Sequence, residues 1–432
     1  MPYKISGFIS HNHTCRVIVI DKNDYTIEDN TVFSGTSGAS GYRDYELTGL
    51  TNTEKLVLGR RVRDGWVQGH TINPTEYIIP NPLWTWGYNI QGQLGLEDVI
   101  PRSSPVQVGF DRSSSELAGG ECHTMVVTSD GELWAWGYNG SGQLGNGETD
   151  PFRRSSPVQI GSDTNWLDVA CGNDFTVGIK TDGTIWAWGD NTYGQLGLED
   201  VTHRSSPVQV GSETYWQSLA LGPGFTYALT NVNLLYGWGQ NYLGQLGQNN
   251  ITGYSSPVLV GNNYSKIAAG ARYGMFIKTN GQLWAVGGNG GGCLGLGDEI
   301  HRSSPVQVGS DTNWNYISCA VAASFGTKTN GTLWSWGGAG FGILGQGDLT
   351  RRSSPTQVGA LTDWLAPIAN SGGVSVYAIK TDSTLWGWGW NNQGELGIGD
   401  TNHRSSPVQV GALTDWVVGQ TVAGENHMLA YK

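Results

Sequence analysis

The stretch LWTWGYNIQGQLG, residues 83–95, decides the fold because close variants of it recur along the rest of the chain. Six more copies follow: LWAWGYNGSGQLG, IWAWGDNTYGQLG, LYGWGQNYLGQLG, LWAVGGNGGGCLG, LWSWGGAGFGILG and LWGWGWNNQGELG. Each copy is followed by SSPVQVG or a near variant, and the prolines of these segments are 48 to 52 residues apart. A period near 50 residues holds about four short strands with their turns, the size of one propeller blade. The sequence therefore predicts seven blades.

Each repeat unit reads as four strands in the order PVQV, WLDVACG, FTVGIKT and TIWAWG, taking one unit as the example. The last two are joined by segments such as TDGT or TNGT, and Asp-Gly or Asn-Gly is typical of a tight hairpin turn. Composition agrees, because 66 Gly and 19 Trp among 432 residues disfavour helices. We predict an all-β chain.

These repeats resemble those of the regulator of chromosome condensation family, whose units form seven-bladed β-propellers. The resemblance covers residues 83–432, about four-fifths of the chain. It implies the propeller fold, and it implies little about activity because that fold carries unrelated functions.

The chain ends with TVAGENHMLAYK, residues 421–432, which has no Trp segment after it, whereas residues 83–87 have no strands of their own unit before them. One gap fits the other. We predict that residues 83–87 pair antiparallel with residues 428–431 and close the propeller of residues 83–432. The closing blade would then hold three strands from the C-terminal end and one from residues 83–87. Closure removes exposed sheet edges between the first and last blades.

Residues 1–78 do not repeat, and their alternating stretches KISGFI, CRVIVID, YELTGL and KLVLGRRV predict a small antiparallel β-sandwich. The segment YELTGLTNTEKLVLGRRVRDG resembles transthyretin-like and carboxypeptidase-regulatory-like modules, which occur in phage and surface proteins. This resemblance implies an attachment module. The prolines of NPTEYIIPNP favour an extended connection, so we expect a linker at residues 79–82.

A second aromatic series follows PVQVG in six units, near one rim of the expected propeller. Its position allows either packing between blades or a ring of side chains that faces a ligand. The first unit, with FDRSSSEL, lacks the aromatic residue. The six residues are Trp166, Trp216, Tyr264, Trp314, Trp364 and Trp416.

Six units carry an Arg three positions before the marker proline and an acid shortly before that Arg. The pairs are Asp98 and Arg102, Glu148 and Arg154, Asp200 and Arg204, Asp298 and Arg302, Asp348 and Arg352, and Asp400 and Arg404. The fourth unit has lost both, with Asn250 and Tyr254 in their places. This joint loss indicates that the two side chains pair and hold the loop in place. The alternative, a ring of arginines that binds an anion, is not excluded by the sequence. A charge swap between Asp200 and Arg204 should then restore the stability lost in either single variant.

The net charge of −12 argues against a nucleic-acid partner, since such proteins usually carry a basic surface. No run approaches the ~20 apolar residues of a membrane span, so membrane insertion is not expected. The sequence contains no phosphate-binding loop, dinucleotide fingerprint or HExxH motif. We therefore expect no catalytic, cofactor or metal site, and a protein that is not an enzyme.

An attachment module joined to a propeller favours a structural or binding protein displayed on a particle, foremost a phage or virus tail fibre, tail-associated or capsid decoration protein. Its expected partners are other virion proteins through the N-terminal module and a host surface protein or glycan, with a homo-oligomer as a further option. Its expected location is the virion, assembled in the host cytoplasm, and otherwise the cytoplasm. The alternative is a protein-binding regulator or enzyme inhibitor of the propeller family. A nucleotide exchange factor ranks below both.

Overall fold

The computed structural model describes the strands of the N-terminal unit and, beyond them, residues 83–110, 112–149, 153–417 and 419–431. The chain divides into two compact units, residues 1–81 and 82–432. None of the described residues belongs to a helix with the length and hydropathy needed to cross a membrane.

The N-terminal unit contains two antiparallel sheets. Its strands are β1 (Tyr3–Ile9), β2 (Cys15–Asp21), β3 (Ile27–Asp29), β4 (Gly41–Leu47), β5 (Glu54–Val62) and β6 (Gly65–Ile72). β1 pairs with β4, and the other four form a sheet in the order β3-β2-β5-β6. The side-chain packing that would make a sandwich of these sheets, and the linker expected at residues 79–82, lie outside the described residues.

The second unit is a seven-bladed β-propeller, as the repeats predict, with four antiparallel strands in each blade. Its strands are β7 (Leu83–Gly87), β8 (Arg102–Gln107), β9 (Ser114–Gly119), β10 (His123–Thr128), β11 (Leu133–Gly137), β12 (Arg154–Gln159), β13 (Trp166–Cys171), β14 (Phe175–Lys180), β15 (Ile185–Gly189), β16 (Arg204–Gln209), β17 (Trp216–Leu221), β18 (Phe225–Thr230), β19 (Leu234–Gly239), β20 (Tyr254–Asn262), β21 (Tyr264–Ala269), β22 (Tyr273–Lys278), β23 (Leu283–Gly287), β24 (Arg302–Gln307), β25 (Trp314–Cys319), β26 (Ala323–Lys328), β27 (Leu333–Gly337), β28 (Arg352–Gln357), β29 (Trp364–Ala369), β30 (Ser375–Lys380), β31 (Leu385–Gly389), β32 (Arg404–Gln409), β33 (Thr421–Ala423) and β34 (His427–Tyr431). A 3-10 turn covers Gly340–Gly342.

We number each blade by the copy of the Trp-rich strand that it contains. Blade 1 is β33-β34-β7-β8, and blades 2 to 7 are β9–β12, β13–β16, β17–β20, β21–β24, β25–β28 and β29–β32. The first strands of neighbouring blades contact one another around the axis, and the RSSPVQ-type strand is the outermost strand of every blade.

Blade 1 closes the ring. β34 runs antiparallel to β7, with Met428 opposite Trp86 and Tyr431 opposite Leu83. The expected division of this blade into three strands and one is wrong, because two strands come from each end. After the long loop that follows β7, β8 runs back antiparallel beside β7, with Arg102 opposite Gly87. The PVQ-type strand is therefore in the same blade as the Trp strand that precedes it in the chain.

Trp side chains tie neighbouring blades together. Trp188 on β15 is fully buried, and its indole Nε1 donates to the backbone carbonyl of Gln143, in the loop of the preceding blade, at 2.9 Å. Thr176 donates to the same carbonyl, also at 2.9 Å. Equivalent bonds recur around the ring, for example from Trp238 to Gln195. The Trp strand is therefore inter-blade core, and it fixes where the connecting loops leave the propeller.

Candidate protein-binding surface

The aromatic series that the sequence left open between packing and ligand binding is buried. Exposed fractions are between 1% and 4% for Trp166, Trp216, Tyr264, Trp314, Trp364 and Trp416. Trp166 is typical, because its ring meets Trp188 edge-on at 5.7 Å and lies 4.9 Å below the Lys180 ammonium group. These rings stabilise the contact between blades and present no open face to a ligand.

The first unit does supply an aromatic ring at this place, contrary to the expectation from FDRSSSEL. Phe110 lies in the connection before β9, is 7% exposed, and packs edge-on against Trp134 at 5.5 Å. Arg112 lies 4.9 Å above the Trp134 ring, as lysines do in other blades. The ring enters from the connection instead of from the strand, so alignment of the repeats alone misses it.

The six acid-Arg pairs lie in the long loops that join the third and fourth strands of the blades. The N–O distances are 2.5 Å for Asp98–Arg102, 2.6 Å for Glu148–Arg154, 2.5 Å for Asp200–Arg204, 2.6 Å for Asp298–Arg302, 2.8 Å for Asp348–Arg352 and 2.5 Å for Asp400–Arg404. These arginines are therefore engaged within the loops, which disfavours the alternative of an anion-binding ring.

Each pair is part of a network that fixes the loop backbone. Asp200 Oδ1 accepts from the Thr202 amide at 2.8 Å and from Asn191 Nδ2 at 3.1 Å, while Arg204 Nη1 donates to the Thr202 carbonyl at 2.6 Å. Hydrogen bonding from Thr202 and then from Arg204 lowers the pKa of Asp200. His203 accepts from the Asn191 amide at 3.0 Å and fixes the start of the loop. These loops are held in one conformation by their own side chains.

The pinned loops expose aliphatic side chains at one end of the propeller, which we call the loop face. The opposite end, with the hairpin turns and the blade-to-blade connections, is the link face. Five loop residues, two or three positions before the pair's second member, are 60% to 68% exposed and are here called the rim aliphatics: Ile100, Val201, Ile251, Ile300 and Leu349. Single exposed apolar residues are common, and here one recurs in the same loop of five blades, which makes the loop face the candidate interaction surface.

Aromatic side chains add to the loop face nearer the axis. Tyr193 and Tyr242, from the loops of blades 3 and 4, meet edge-on at 5.8 Å, and 39% and 59% of their surfaces are exposed. Across the face, Trp390 stacks on His403 at 4.6 Å, and Phe341 meets Trp390 edge-on at 4.4 Å. Phe341 is 45% exposed and has a φ of 58°, a left-handed conformation that is costly for an aromatic residue. Aromatic groups with open surface are favoured at protein interfaces.

Three acids occupy the turns between the first and second strands of blades 1, 2 and 3, at the axial side of the loop face. We call Glu425, Glu121 and Asp174 the acidic turns. They are adjacent, since the Glu425 amide donates to the Gly120 carbonyl at 3.0 Å and Asn173 Nδ2 donates to Glu121 at 3.1 Å.

The acidic turns hold negative charge that is poorly compensated. Burial raises the pKa of Glu425 to about 7, and the charges of Glu121 and Asp174 contribute to this shift. Burial, then Glu121 and Asp190, raises the pKa of Asp174 to about 6. Within the described residues no Lys, Arg or His forms an ion pair with any of the three. A positively charged group would lower the cost of these charges.

The first strands also line an open pocket of about 380 Å³. Small or apolar side chains supply much of its wall, for example Ala118, Ala170, Pro367, Ile368 and Val422. Small-molecule sites combine apolar walls with a few polar groups that converge on the ligand. The loop face, with its apolar, aromatic and acidic groups, is the better candidate for recognition.

The family follows from the repeats and the closed ring together. A family model for the RCC1-like domain matches residues 82–430. The chain belongs to this RCC1-like family. Among curated proteins, the RCC1-like propeller is 29% identical to the ultraviolet-B receptor UVR8 of Arabidopsis thaliana over 166 residues, which are 38% of either chain. It is 40% identical to the Danio rerio RCC2 homolog over 52 residues, 12% of this chain and 10% of that protein. The matches thus span well under half of these relatives.

Solved structures share the fold of the RCC1-like propeller. Human WBSCR16 superposes with a TM-score of 0.73 at 20% identity, over 81% of this chain and 98% of that one. Yeast RCC1 (Prp20), solved bound to Kap60, gives 0.72 at 18% identity, over 82% and 89%. The curated relatives come from a plant and from vertebrates, and the virion role expected from the sequence finds no support among them.

The sequence reading missed the rim aliphatics and the acidic turns, although both leave a trace in the repeat. An apolar residue stands two or three positions before the Arg at Ile100, Ile300 and Leu349, among loop residues that are otherwise polar. The acids of GGECHT, CGNDFT and AGENHM fill one position or neighbouring positions of the unit. These positions are less regular than the Trp and Arg positions, because the residue type at them differs from unit to unit.

Proposed function

We propose that this protein is a regulator that binds another protein through the loop face of its propeller and catalyses no reaction itself. The observation that carries the proposal is the set of five rim aliphatics, four of them on loops held by Asp-Arg networks and Ile251 on the loop held by Asn250 and Tyr254. Rigid loops lose little entropy on binding, so exposed apolar groups on them contribute most of their burial energy to affinity.

The charge of the loop face supports a partner with a basic segment. Apart from the pinned pairs, its described loops and turns carry Glu97, Asp190, Glu199, Glu299, Glu395 and the acidic turns, against Arg153, Arg272 and Arg351. Complementary charge accelerates association and selects the partner. A structural study of the yeast relative Prp20 addresses its binding to Gsp1p and histones, which are protein ligands. We infer the same general class of ligand here, a protein, without its identity.

The experiment compares proteins retained from a lysate of the source cells by three immobilised forms of the chain. These are the wild type, the loop-face variant Ile300→Glu with Leu349→Glu, and the link-face variant Leu361→Glu. Leu361 is 48% exposed and lies in the connection between β28 and β29, at the other end of the same blade as Leu349. It is therefore a matched control for an exposed leucine changed to an acid.

We expect the wild type and Leu361→Glu to retain the same protein, and the loop-face variant to lose it while its melting temperature stays within a few degrees of the wild type. The replaced side chains are exposed, so folding should be unaffected. Equal retention by all three forms would exclude the loop face as the binding surface. The attachment role of residues 1–78 and the location of the protein stay predictions.

A further inference from the structure

Blade 4 carries no charged side chain. Residues 214–265, which contain all of β17 to β20, include no Asp, Glu, Lys, Arg or His. At the chain average of 14% charged residues, a stretch of this length would hold about seven. The nearest charges along the chain are Glu213 and Lys266, at the borders with blades 3 and 5. One blade of an acidic protein has thus lost every charge, including the Asp-Arg pair of the other loops.

The outer strand of this blade has an exposed apolar side chain where the other blades have a glutamine. Leu259 on β20 is 51% exposed. The same position of the other outer strands holds glutamine: Gln107, Gln159, Gln209, Gln307, Gln357 and Gln409. Val232, in the turn just before β19, is 64% exposed and lies beyond the end of β20, because Leu234 pairs with Asn262. We call Leu259, Val232 and β20 the edge patch.

β20 is also longer than the other outer strands. It has nine residues, whereas the other six blades have outer strands of six, such as β16 and β24. Pro257 has no N–H, and every outer strand holds a proline at this position. Two strand residues follow the proline in the other blades, and five follow it in β20, residues 258–262. β20 is the last strand of its sheet, and within the described chain no strand pairs with its outer edge. The Glu199 amide donates to the Ser255 carbonyl and Gln248 Nε2 donates to the Leu259 carbonyl, so single loop groups contact β20 in place of a strand.

A long, uncharged edge strand with exposed apolar side chains is a template for pairing with another strand. Proteins usually protect such edges with charge, proline or short length. The six other outer strands use all three, because they begin with an Arg, hold a proline and stop two residues after it. β20 begins with Tyr254 and keeps only the proline. The protection has been removed from one blade of seven.

We propose that the edge patch is a contact surface between two copies of this chain, with the C-terminal halves of their β20 strands side by side and antiparallel. A two-fold contact brings identical surfaces together, so each charge in it meets the same charge nearby. For a chain with a net charge of −12, an uncharged blade is the surface where two copies approach with the least repulsion. Leu259 and Val232 of both copies then supply apolar area at the contact.

The contact is separate from the loop face in its residues and in its chemistry. Four of the five rim aliphatics lie on blades 1, 3, 5 and 6, and Ile251 lies in the loop of blade 4, outside β20, so a dimer joined along β20 leaves the loop face open to a different partner. The inference therefore does not rest on the proposed function. It also differs from contacts built on ion pairs, because no charged side chain takes part, and added salt should not weaken it.

Sedimentation velocity of the full chain tests the proposal over about a hundredfold range of micromolar concentrations. We expect a concentration-dependent dimer for the wild type. Leu259→Glu should raise the dissociation constant of the dimer at least tenfold, because two like charges would face each other at the contact. Gln209→Glu, at the matching position of blade 3, should leave it unchanged. Circular dichroism melts of the three proteins check that the exposed substitutions leave the fold intact.

Any of three results overturns the proposal. The first is a wild-type protein that stays monomeric over the whole range. The second is a dimer that Leu259→Glu and Gln209→Glu affect equally, which would place the contact elsewhere. Loss of the dimer in about 0.5 M salt would also contradict the apolar contact, since ion pairs are screened at that concentration. A dimer that persists in Ile300→Glu with Leu349→Glu separates this contact from the loop face.

Discussion

Asn250 Nδ2 donates a hydrogen bond of 3.0 Å to the hydroxyl of Tyr254, at the two positions where the other six loops hold an acid and an arginine. Asn250 Oδ1 still accepts from the Thr252 amide at 2.9 Å, as Asp200 Oδ1 does from Thr202. A neutral pair therefore keeps the loop geometry without its charges. The joint loss of both charged residues in the sequence reflects one side-chain contact.

The double variant Asn250→Asp with Tyr254→Arg should install in blade 4 the ion pair of the other loops. Asn250→Asp alone adds a carboxylate without a cation, and Tyr254→Arg alone adds a guanidinium without an acid. We expect a coupling free energy of about 0.2–1 kcal/mol between the two changes, as for exposed ion pairs, measured by urea unfolding in a double-mutant cycle. Additive effects would contradict the pairing.

Given the other contacts of Asp200 and Arg204, we now predict that their charge swap does not restore stability, unlike the expectation from pairing alone. Asp200 also accepts from the Thr202 amide, and Arg204 also donates to the Thr202 carbonyl. An arginine at position 200 cannot accept, and an aspartate at position 204 cannot donate. The swapped protein should unfold at a urea concentration no higher than that of the less stable single variant, and full recovery would contradict the network.

Ser383→Gly should stabilise the propeller by about 0.5–1 kcal/mol. Ser383 has a φ of 61° in the hairpin turn of blade 7, whereas the matching turn of blade 3 holds Gly183 with a φ of 78°. Glycine adopts this conformation without the cost that a side chain imposes. Thermal unfolding measures the gain.

Gly183→Ser is the matched control and should destabilise. Besides the positive φ, a Cβ at position 183 would lie 2.2 Å from the Thr214 carbonyl oxygen, so the turn must shift. If both substitutions changed the melting temperature in the same direction, backbone strain would not be what distinguishes the two turns.

Glu425→Gln should remove part of the pH dependence of stability between pH 4.5 and 7. The pKa of Glu425 is raised to about 7 in the folded state, from an ordinary value of 4.5, so the folded protein holds a proton there that the unfolded chain releases. Its contribution to stability therefore falls as pH rises through this window. The variant should be more stable than the wild type at pH 8, and urea unfolding at pH 5 and pH 8 measures the difference. A parallel pH dependence in the two proteins would contradict the assignment.

Removal of residues 426–432 should destabilise the whole ring. β34 is the strand that joins β33 to β7, and its loss would uncover Trp86, which is fully buried. Two sheet edges would open at once. We expect a lower melting temperature with a broader transition and increased aggregation, while removal of Lys432 alone serves as the control. Unchanged melting of the shorter protein would contradict closure through β34.

The sequence by itself determined the seven repeats, the all-β class, and the strand that fills the gap in the closing blade. A period near 50 residues and the position-by-position match of the copies suffice for this, because every copy supplies the same set of strands. It also identified the Asp-Arg pairs, since blade 4 lost both members together. The sequence did not determine how the strands group into blades. The PVQ strand lies between two Trp strands in the chain, and only the hydrogen-bond register shows that it pairs with the earlier one.

Only the tertiary structure decided which side chains are exposed to solvent and which are buried. Trp166 and its counterparts stand beside polar residues in the chain, yet they are buried against the Trp strands, and a lysine lies over Trp166, Tyr264, Trp314 and Trp364. Ile300 and Leu349 look like ordinary apolar residues in sequence, yet the Asp-Arg networks hold them outward. Glu121 and Asp174 come from successive repeats and Glu425 from the last one, and the three acids meet because the ring closes blade 1 onto blade 2. Burial depends on contacts between repeats, and a repeat pattern describes each unit without its neighbours.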